Sequence, residues 1–251
     1  MTAGYTLLLG DARLSRQVEG QVIERTLTSV DGLVVAASRL PTAQLADYAQ
    51  IKPIVLVNRE AEGLSSVVTD HTDGPRQIVA HLYSLGHRHL AFLSGPRDSW
   101  SATSRWSAID ATARDLGIIT TRLGPFPAAV EGGAAAADAA LSTEATALIA
   151  HNDLLAIGTL RRLTARGVIV PYDISVTGFD DIFGADFCVP PLTTLAAPLD
   201  ATGRQAIDLL TATTRPGPPQ KLTLPAHVQV RASSGPAPQH ASHQQTPPPI
   251  R

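Results

Sequence analysis

The apolar runs of this sequence end in polar residues that can hold a small molecule. Asp11 follows Tyr5 to Leu9, Asn58 and Arg59 follow Ile54 to Val57, and Asp70 with Asp73 follows Val67 and Val68. Asn152 and Asp153 follow Ala147 to Ala150, and Asp180 and Asp181 follow Ser175 to Phe179. Carboxylate, amide and guanidinium groups present two donors or acceptors side by side, so each can engage two neighbouring hydroxyls or one donor-acceptor edge. That chemistry is recognition rather than turnover: no G-x-S-x-G, G-x-G-x-x-G, Walker loop or H-E-x-x-H is present. Taken singly, Asp or Asn at a strand-to-helix junction caps the next helix, and Asp153 ahead of Leu154 is the clearest such case.

Convergence of these residues requires strands that all run one way, because ligands in open α/β sheets bind at the carboxyl ends of the strands. The sequence supplies that rhythm. Helical stretches Val18–Ser29, Ala43–Gln50 and Arg76–Leu85 alternate with strands Tyr5–Leu9, Gly32–Ala37, Ile54–Val57 and a short one near Val67. Ile78, Val79, Leu82 and Leu85 lie at helical spacing, with Thr72 or Asp73 as cap, Pro75 in the first turn and Gly86 as the stop. The second half continues with strand Leu90–Leu93, helix Ser104–Leu116, a Pro/Gly-interrupted connection Leu123–Gly133, helix Ala134–Leu141, strand Ala147–Ala150, helix Leu154–Arg166 and strand Ser175–Gly178. Strand Thr193–Leu195, helix Gly203–Leu210 and a closing pair Leu222–Leu224 and His227–Arg231 follow. From Ser233 to Arg251 the chain has no apolar period and many prolines, which predicts a disordered tail whose His240 and His243 lack the scaffold a metal needs.

The stretch Val68–Gly95 reads D-x-x-D-G-x-x-x-x-x-x-H-L-x-x-L-G-H-R-H-L-A-F-L-S-G from Asp70, and Pro96 follows. Downstream and upstream stand P-I-V-L-V-N-R (Pro53–Arg59), A-H-N-D-L-L-A-I-G (Ala150–Gly158), G-V-I-V-P-Y-D-I-S-V-T-G-F-D-D (Gly167–Asp181) and P-P-L-T-T-L (Pro190–Leu195). Each is weak alone. In this order, across nearly the whole chain, they resemble the effector domain of LacI/GalR-type transcription regulators.

The resemblance implies an α/β fold of the two-lobed periplasmic-binding-protein-like type, with parallel doubly wound sheets. It places residues 1–88 and 192–215 in an incomplete first lobe, 89–191 and 216–232 in the second, and chain crossings near His87, Pro191 and Pro216. It also implies a ligand site of Asp73, Arg105 (in S-A-T-S-R-W-S-A, with Ala108 where the family prefers Gly), Phe126 as an aromatic wall, Asn152 and Asp180. Trp100 and Trp106 lie near this set in sequence, although a tryptophan is more often core or interface than a stacking platform. The implied partners are a sugar or related effector, a second copy of the chain, and DNA through a helix-turn-helix headpiece. That headpiece, and the domain's own first strand and helix, are missing ahead of Gly4-Tyr5, an absence that suggests a misplaced start or a fragment and would leave a sheet edge unpaired. No cofactor or metal is implied.

The 251 residues suffice to bury a large core, and 17% charged with 44% hydrophobic residues at a net charge of -2 is the profile of a soluble globular protein. No basic run supplies phosphate neutralisation, so the folded body is not itself expected to hold DNA. The single cysteine, Cys188, cannot form an internal disulfide, no run approaches the ~18 apolar residues of a membrane span, and no export signal opens the chain. These features favour a cytoplasmic regulator over the alternative that shares its architecture, the solute-binding protein of a sugar transporter. An enzyme on a doubly wound sheet is a third class, which fold alone does not exclude.

Overall fold

The computed structural model describes residues 4–13, 15–212 and 218–238. Two separate sheets carry the expected strands other than Tyr5–Leu9, so the two-lobed α/β architecture holds. In the first sheet β1 (Leu33–Ala36), β2 (Ile54–Val57), β3 (Ser65–Thr69) and β9 (Lys221–Leu224) are all parallel, in the order β1-β2-β3-β9. Helices α1 (Arg16–Thr26) and α2 (Thr42–Ala49) cover one face through Ile23, Leu27, Leu45 and Tyr48, and α7 (Leu199–Ala212) covers the other through Ala206 and Leu209.

The second sheet has the order β10-β8-β7-β6-β4-β5, built from β4 (His89–Leu93), β5 (Ile119–Leu123), β6 (Ala147–Ala150), β7 (Ser175–Asp180), β8 (Thr193–Ala196) and β10 (His227–Gln229). Only β10 is antiparallel. β6 is buried along its whole length and β4 and β7 nearly so, because helices cover both faces, and that is why these strands read as unbroken apolar runs rather than alternating ones. One cover is α3 (Asp73–Ser84) with α4 (Trp100–Asp115); the other is α5 (Gly133–Ala140) with α6 (Asp153–Ala165). Among the described residues no helix is long and apolar enough to cross a membrane.

The lobe boundaries differ from the expectation. Ile78, Val79 and Leu82 of α3 pack against Leu90, Phe92 and Ile109, so α3 belongs to the second lobe and the chain crosses at Asp70–Thr72, before the helix rather than near His87. β8 pairs with β7 and β10, so Thr193–Leu195 lies in the second lobe, and the next crossing is at Ala197–Pro198, not Pro191. β9 pairs with β3, which puts Lys221–Leu224 in the first lobe and the last crossing at Pro225–Ala226; Pro216 lies outside the described residues. Only α7 of the 192–215 segment sits where expected.

Three local expectations also change. Tyr5–Leu9 is not a strand: Tyr5, Leu7 and Leu9 are exposed, and among the described residues β1 pairs with β2 alone, which leaves the run without the ladder that makes a strand. β5 was not anticipated, since I-T-T-R-L is a half-exposed edge with little apolar alternation. The segment Ser233–Pro238 is not disordered. Ser233 is fully buried, its amide bonds to the Pro191 carbonyl, its carbonyl accepts from the Val176 amide, and Ala237 donates to the Leu85 carbonyl. Residues 239–251, with His240 and His243, lie outside the described residues.

His87 explains that order. Fully buried, it meets the Thr146 hydroxyl through Nδ1 at 2.8 Å and the Gly235 carbonyl and Ser175 hydroxyl through Nε2, each at 3.0 Å. A carbonyl can only accept, so the proton sits on Nε2 and Nδ1 accepts from Thr146. Burial holds the imidazole below its usual pKa, which suits a neutral ring. His87→Ala takes one bond each from Thr146, Ser175 and Gly235 and opens a cavity, and is expected to cost about 2–4 kcal/mol; urea denaturation measures it, and an unchanged midpoint would remove His87 from this role.

Candidate functional site

The carboxyl ends of β4, β6 and β7 face those of β1 and β3 across a crevice, and two contacts fix the facing. Arg39 after β1 approaches Asp98 of the β4–α4 connection at 3.9 Å, and the ring of His71 after β3 meets Trp100 edge-on with centroids 4.8 Å apart. The backbone at this rim takes the left-handed region at Ala37 (φ 49), Asn58 (φ 52), Asp180 (φ 103) and Asp181 (φ 52). Non-glycine residues held there store strain of order 1–3 kcal/mol each and cluster at ligand sites.

Arg105 is the hub. It rises from the first half of α4, whose start is capped by Ser99 Oγ accepting from the Ala102 amide. Its side chain is 6% exposed; one terminal nitrogen donates to the His151 carbonyl and the other to Asp180 Oδ1 at 2.8 Å, while the guanidinium lies 4.3 Å over the Phe179 ring. Its Nε has no hydrogen-bond partner. Asp180 remains 29% exposed, which leaves its second oxygen open to the crevice.

The other expected residues separate. Asn152 caps α6, its Oδ1 accepting from the Leu155 amide at 3.0 Å and its Nδ2 donating to the Ala128 carbonyl at 3.1 Å, so the capping reading is realised and each end keeps one further bonding position. Phe126 stands just past β5, its amide bonded to the Ser94 carbonyl after β4, and it packs against the second-lobe core from the crevice side of the sheet. Asp73 goes elsewhere. Its carboxylate takes Arg76 and Gln77 of its own helix, is held below the usual carboxylate range by those bonds, and is 46% exposed. Capping of α3 is done from outside the helix by Asp70, whose Oδ1 accepts from the Thr72 and Asp73 amides, each at 2.8 Å. Arg59 is buried against the Ser38 carbonyl, and Asp181 pairs with Arg231 at 2.8 Å. Trp106 stacks on Phe92 in the core, leaving Trp100 as the crevice tryptophan.

Two histidines were missed. His71, half-buried, and His151, buried, lie at the crevice, and both are held to a pKa of about 3, by burial first and by Arg105 second. The signal was available, since each directly follows a strand inside a quoted motif, V-T-D-H and A-H-N-D. Gly95 makes room for His151: a Cβ there would stand 2.4 Å from its ring.

Residues 79–234 match the periplasmic binding protein-like domain. The chain belongs to that family. It is 32% identical over 217 residues to the HTH-type transcriptional repressor CytR of Escherichia coli K12, covering 82% of this chain and 63% of that protein. The chain thus spans about 63% of the length of this curated relative. A LacI family transcriptional regulator from Enterococcus faecalis V583, solved with bound ribose, superposes with a TM-score of 0.82 at 26% identity, over 92% of this chain and 88% of that one. A CelR-cellobiose complex gives 0.77 at 28% identity, over 87% and 71%. The resemblance to LacI-type effector domains therefore holds in both sequence and fold.

Beneath the crevice Asp153 is fully buried, accepting from the Thr194 hydroxyl at 2.6 Å and the Ile182 amide at 2.9 Å, with Gly178 so close that a Cβ would overlap its Oδ1. Burial pushes this carboxyl up to about 7; the two hydrogen bonds resist, and Asp180 and Asp181 add to the push. The folded state therefore binds this proton more tightly than the unfolded chain, so the group's contribution to stability is full below pH ~4 and declines as pH rises to ~7. Asp153→Asn keeps an acceptor for Ile182 and is expected to gain on the wild type by on the order of 1 kcal/mol between pH 5 and pH 8; parallel melting curves at both pH values would refute the assignment.

Proposed function

We propose that this chain is the ligand-sensing effector domain of a LacI-type transcription regulator. It binds a sugar or similar small polar metabolite in the crevice and couples lobe closure to DNA binding by a helix-turn-helix headpiece, in the cytoplasm. The observation that carries the reading is the Arg105 guanidinium, buried at the strand ends and braced by Asp180, the His151 carbonyl and the Phe179 ring. It is supported by the E. coli relative, a repressor, and by the ribose and cellobiose named for the two structural neighbours.

In this reading Arg105 and Asp180 form the polar floor, Asn152 offers its remaining bonding positions, and Phe126 stands beside the ligand's apolar face. Asp73, saturated by its own helix, takes no part. A guanidinium, a carboxylate, an amide and an aromatic ring are groups suited to holding a polar ligand by paired hydrogen bonds. Closure stabilises one lobe arrangement over another by the ligand's differential affinity for it.

The domain acts as a homodimer. Phe183, Phe187 and Val189 are 88%, 66% and 84% exposed on the β7–β8 connection, and the two phenylalanine rings meet edge to face at 4.8 Å. Arg231 braces the connection by pairing with Asp181 and Asp186. A braced, apolar projection of this kind suits a self-complementary contact between copies. Phe187→Asp is expected to shift the chain from dimer to monomer in sedimentation velocity; a variant that stays dimeric places the contact elsewhere.

A thermal-shift panel of sugars, polyols and nucleosides tests the effector reading, since a ligand at ~100 times its dissociation constant adds about 2.7 kcal/mol. Arg105→Ala and Asp180→Asn are each expected to lose about 2–5 kcal/mol of binding with the fold retained. Calorimetry at wild-type affinity for both would move the site.

A further inference from the structure

Of the buried side-chain atoms without a hydrogen-bond partner among the described residues, three belong to one corner of the crevice: His71 Nε2, His151 Nδ1 and Arg105 Nε. Arg105 acts electrostatically on both rings, His71 acts on His151, and Arg105 donates to the carbonyl of His151 itself. His151 and Arg105 are 6% and 5% exposed. Buried polar atoms are almost always paired, so three orphans together mark a place where the protein leaves bonds to be completed by something else.

We propose that His71, His151 and Arg105 Nε form a recognition corner that reads hydroxyl groups of an uncharged, polyhydroxylated ligand. The proposal rests on the effector reading above and names the ligand class of that same site. The chemistry follows from the bonding capacities. Arg105 Nε–H can only donate, whereas a neutral imidazole nitrogen either donates or accepts according to tautomer. A hydroxyl meets both demands, its oxygen accepting from Arg105 while its proton goes to a ring nitrogen. An anion accepts only, so without a charged ring it is met only when both rings carry their single proton on the orphan nitrogen, whereas a hydroxyl suits either tautomer. Burial and Arg105 both oppose that charge, with Arg39 also opposing it at His151. The corner has no uncompensated cation to attract an anion either, because Arg105 is paired with Asp180 and Arg39 lies beside Asp98. Trp100, edge-on to His71, and Gly95, beneath His151, fix where the rings stand.

The test uses the whole chain with matched probes, D-ribose against D-ribose 5-phosphate and D-glucose against D-glucose 6-phosphate, alongside cellobiose. The variants are His71→Phe and His151→Phe, which keep a ring and remove the nitrogens, and His71→Gln and His151→Gln, which return a donor and an acceptor. The expected result is binding of an uncharged probe, its loss by at least tenfold in both Phe variants with partial recovery in the Gln variants, and melting temperatures in the Phe variants equal to or above the wild type. A merely structural role predicts the reverse, lower melting temperature with affinity kept, and overturns the proposal. Binding of only the phosphorylated probes overturns the ligand class while leaving the effector site standing. Binding of an uncharged probe with wild-type affinity in both Phe variants overturns the histidine assignment alone. No binding of any probe by the wild type, across this set and the wider panel, takes down the proposal together with the effector reading.

Discussion

A guanidinium withdrawn from water must find its hydrogen bonds inside the protein, and that demand at Arg105 organises the strand ends around it. Removing one partner of a buried charged pair is strongly destabilising, so the partners have to be held in place rather than merely available. Asp180 is held by a left-handed backbone at the end of β7. The His151 carbonyl is presented because the same residue's amide continues the ladder to Leu93. Phe179, fully buried, offers its face. Burial first, and the field of the same cation second, then keep two neighbouring imidazoles uncharged.

The sheet supplies the positions. Parallel strands deliver every carboxyl end to one side, and the crossings at Asp70–Thr72, Ala197–Pro198 and Pro225–Ala226 bring the two sets of ends face to face. Beneath them Asp153 ties the start of α6 to β8 and to the connection after β7. That connection carries Asp181, whose partner Arg231 comes from beyond β10. Asp180 is therefore one residue from the segment that presents Phe183 and Phe187.

The fold class and most elements were legible because parallel strands covered on both faces have no polar alternation to confuse the reading, as β6 shows. Motif order named Arg105, Asn152 and Asp180; the structure sets Asn152 and Asp180 at the carboxyl ends of β6 and β7, with Arg105 bonded to Asp180. What failed was what depends on pairing. Whether Thr193–Leu195 joins one sheet or the other is decided by β7 and β10, partners distant in sequence that no local pattern carries. Tyr5–Leu9 has strand composition without a ladder, and Ser233–Pro238 has the composition of a tail with one. Asp73 is engaged elsewhere for a nearer reason: Arg76 and Gln77, one turn on, take its carboxylate. The histidines were overlooked because a lone His signals little until burial strips it of its partners.

The clasp formed by Ser233–Pro238 bears on where the folding unit ends. The family match stops at residue 234, yet Gly235 still satisfies His87 and Ala237 still closes on Leu85. A boundary drawn from composition or from that match would cut inside a hydrogen-bonded seam and strip His87 of a partner. Reporter fusions, purification handles and crystallisation trims on this chain belong after Pro238, where the polypeptide has finished its last tertiary contacts among the described residues.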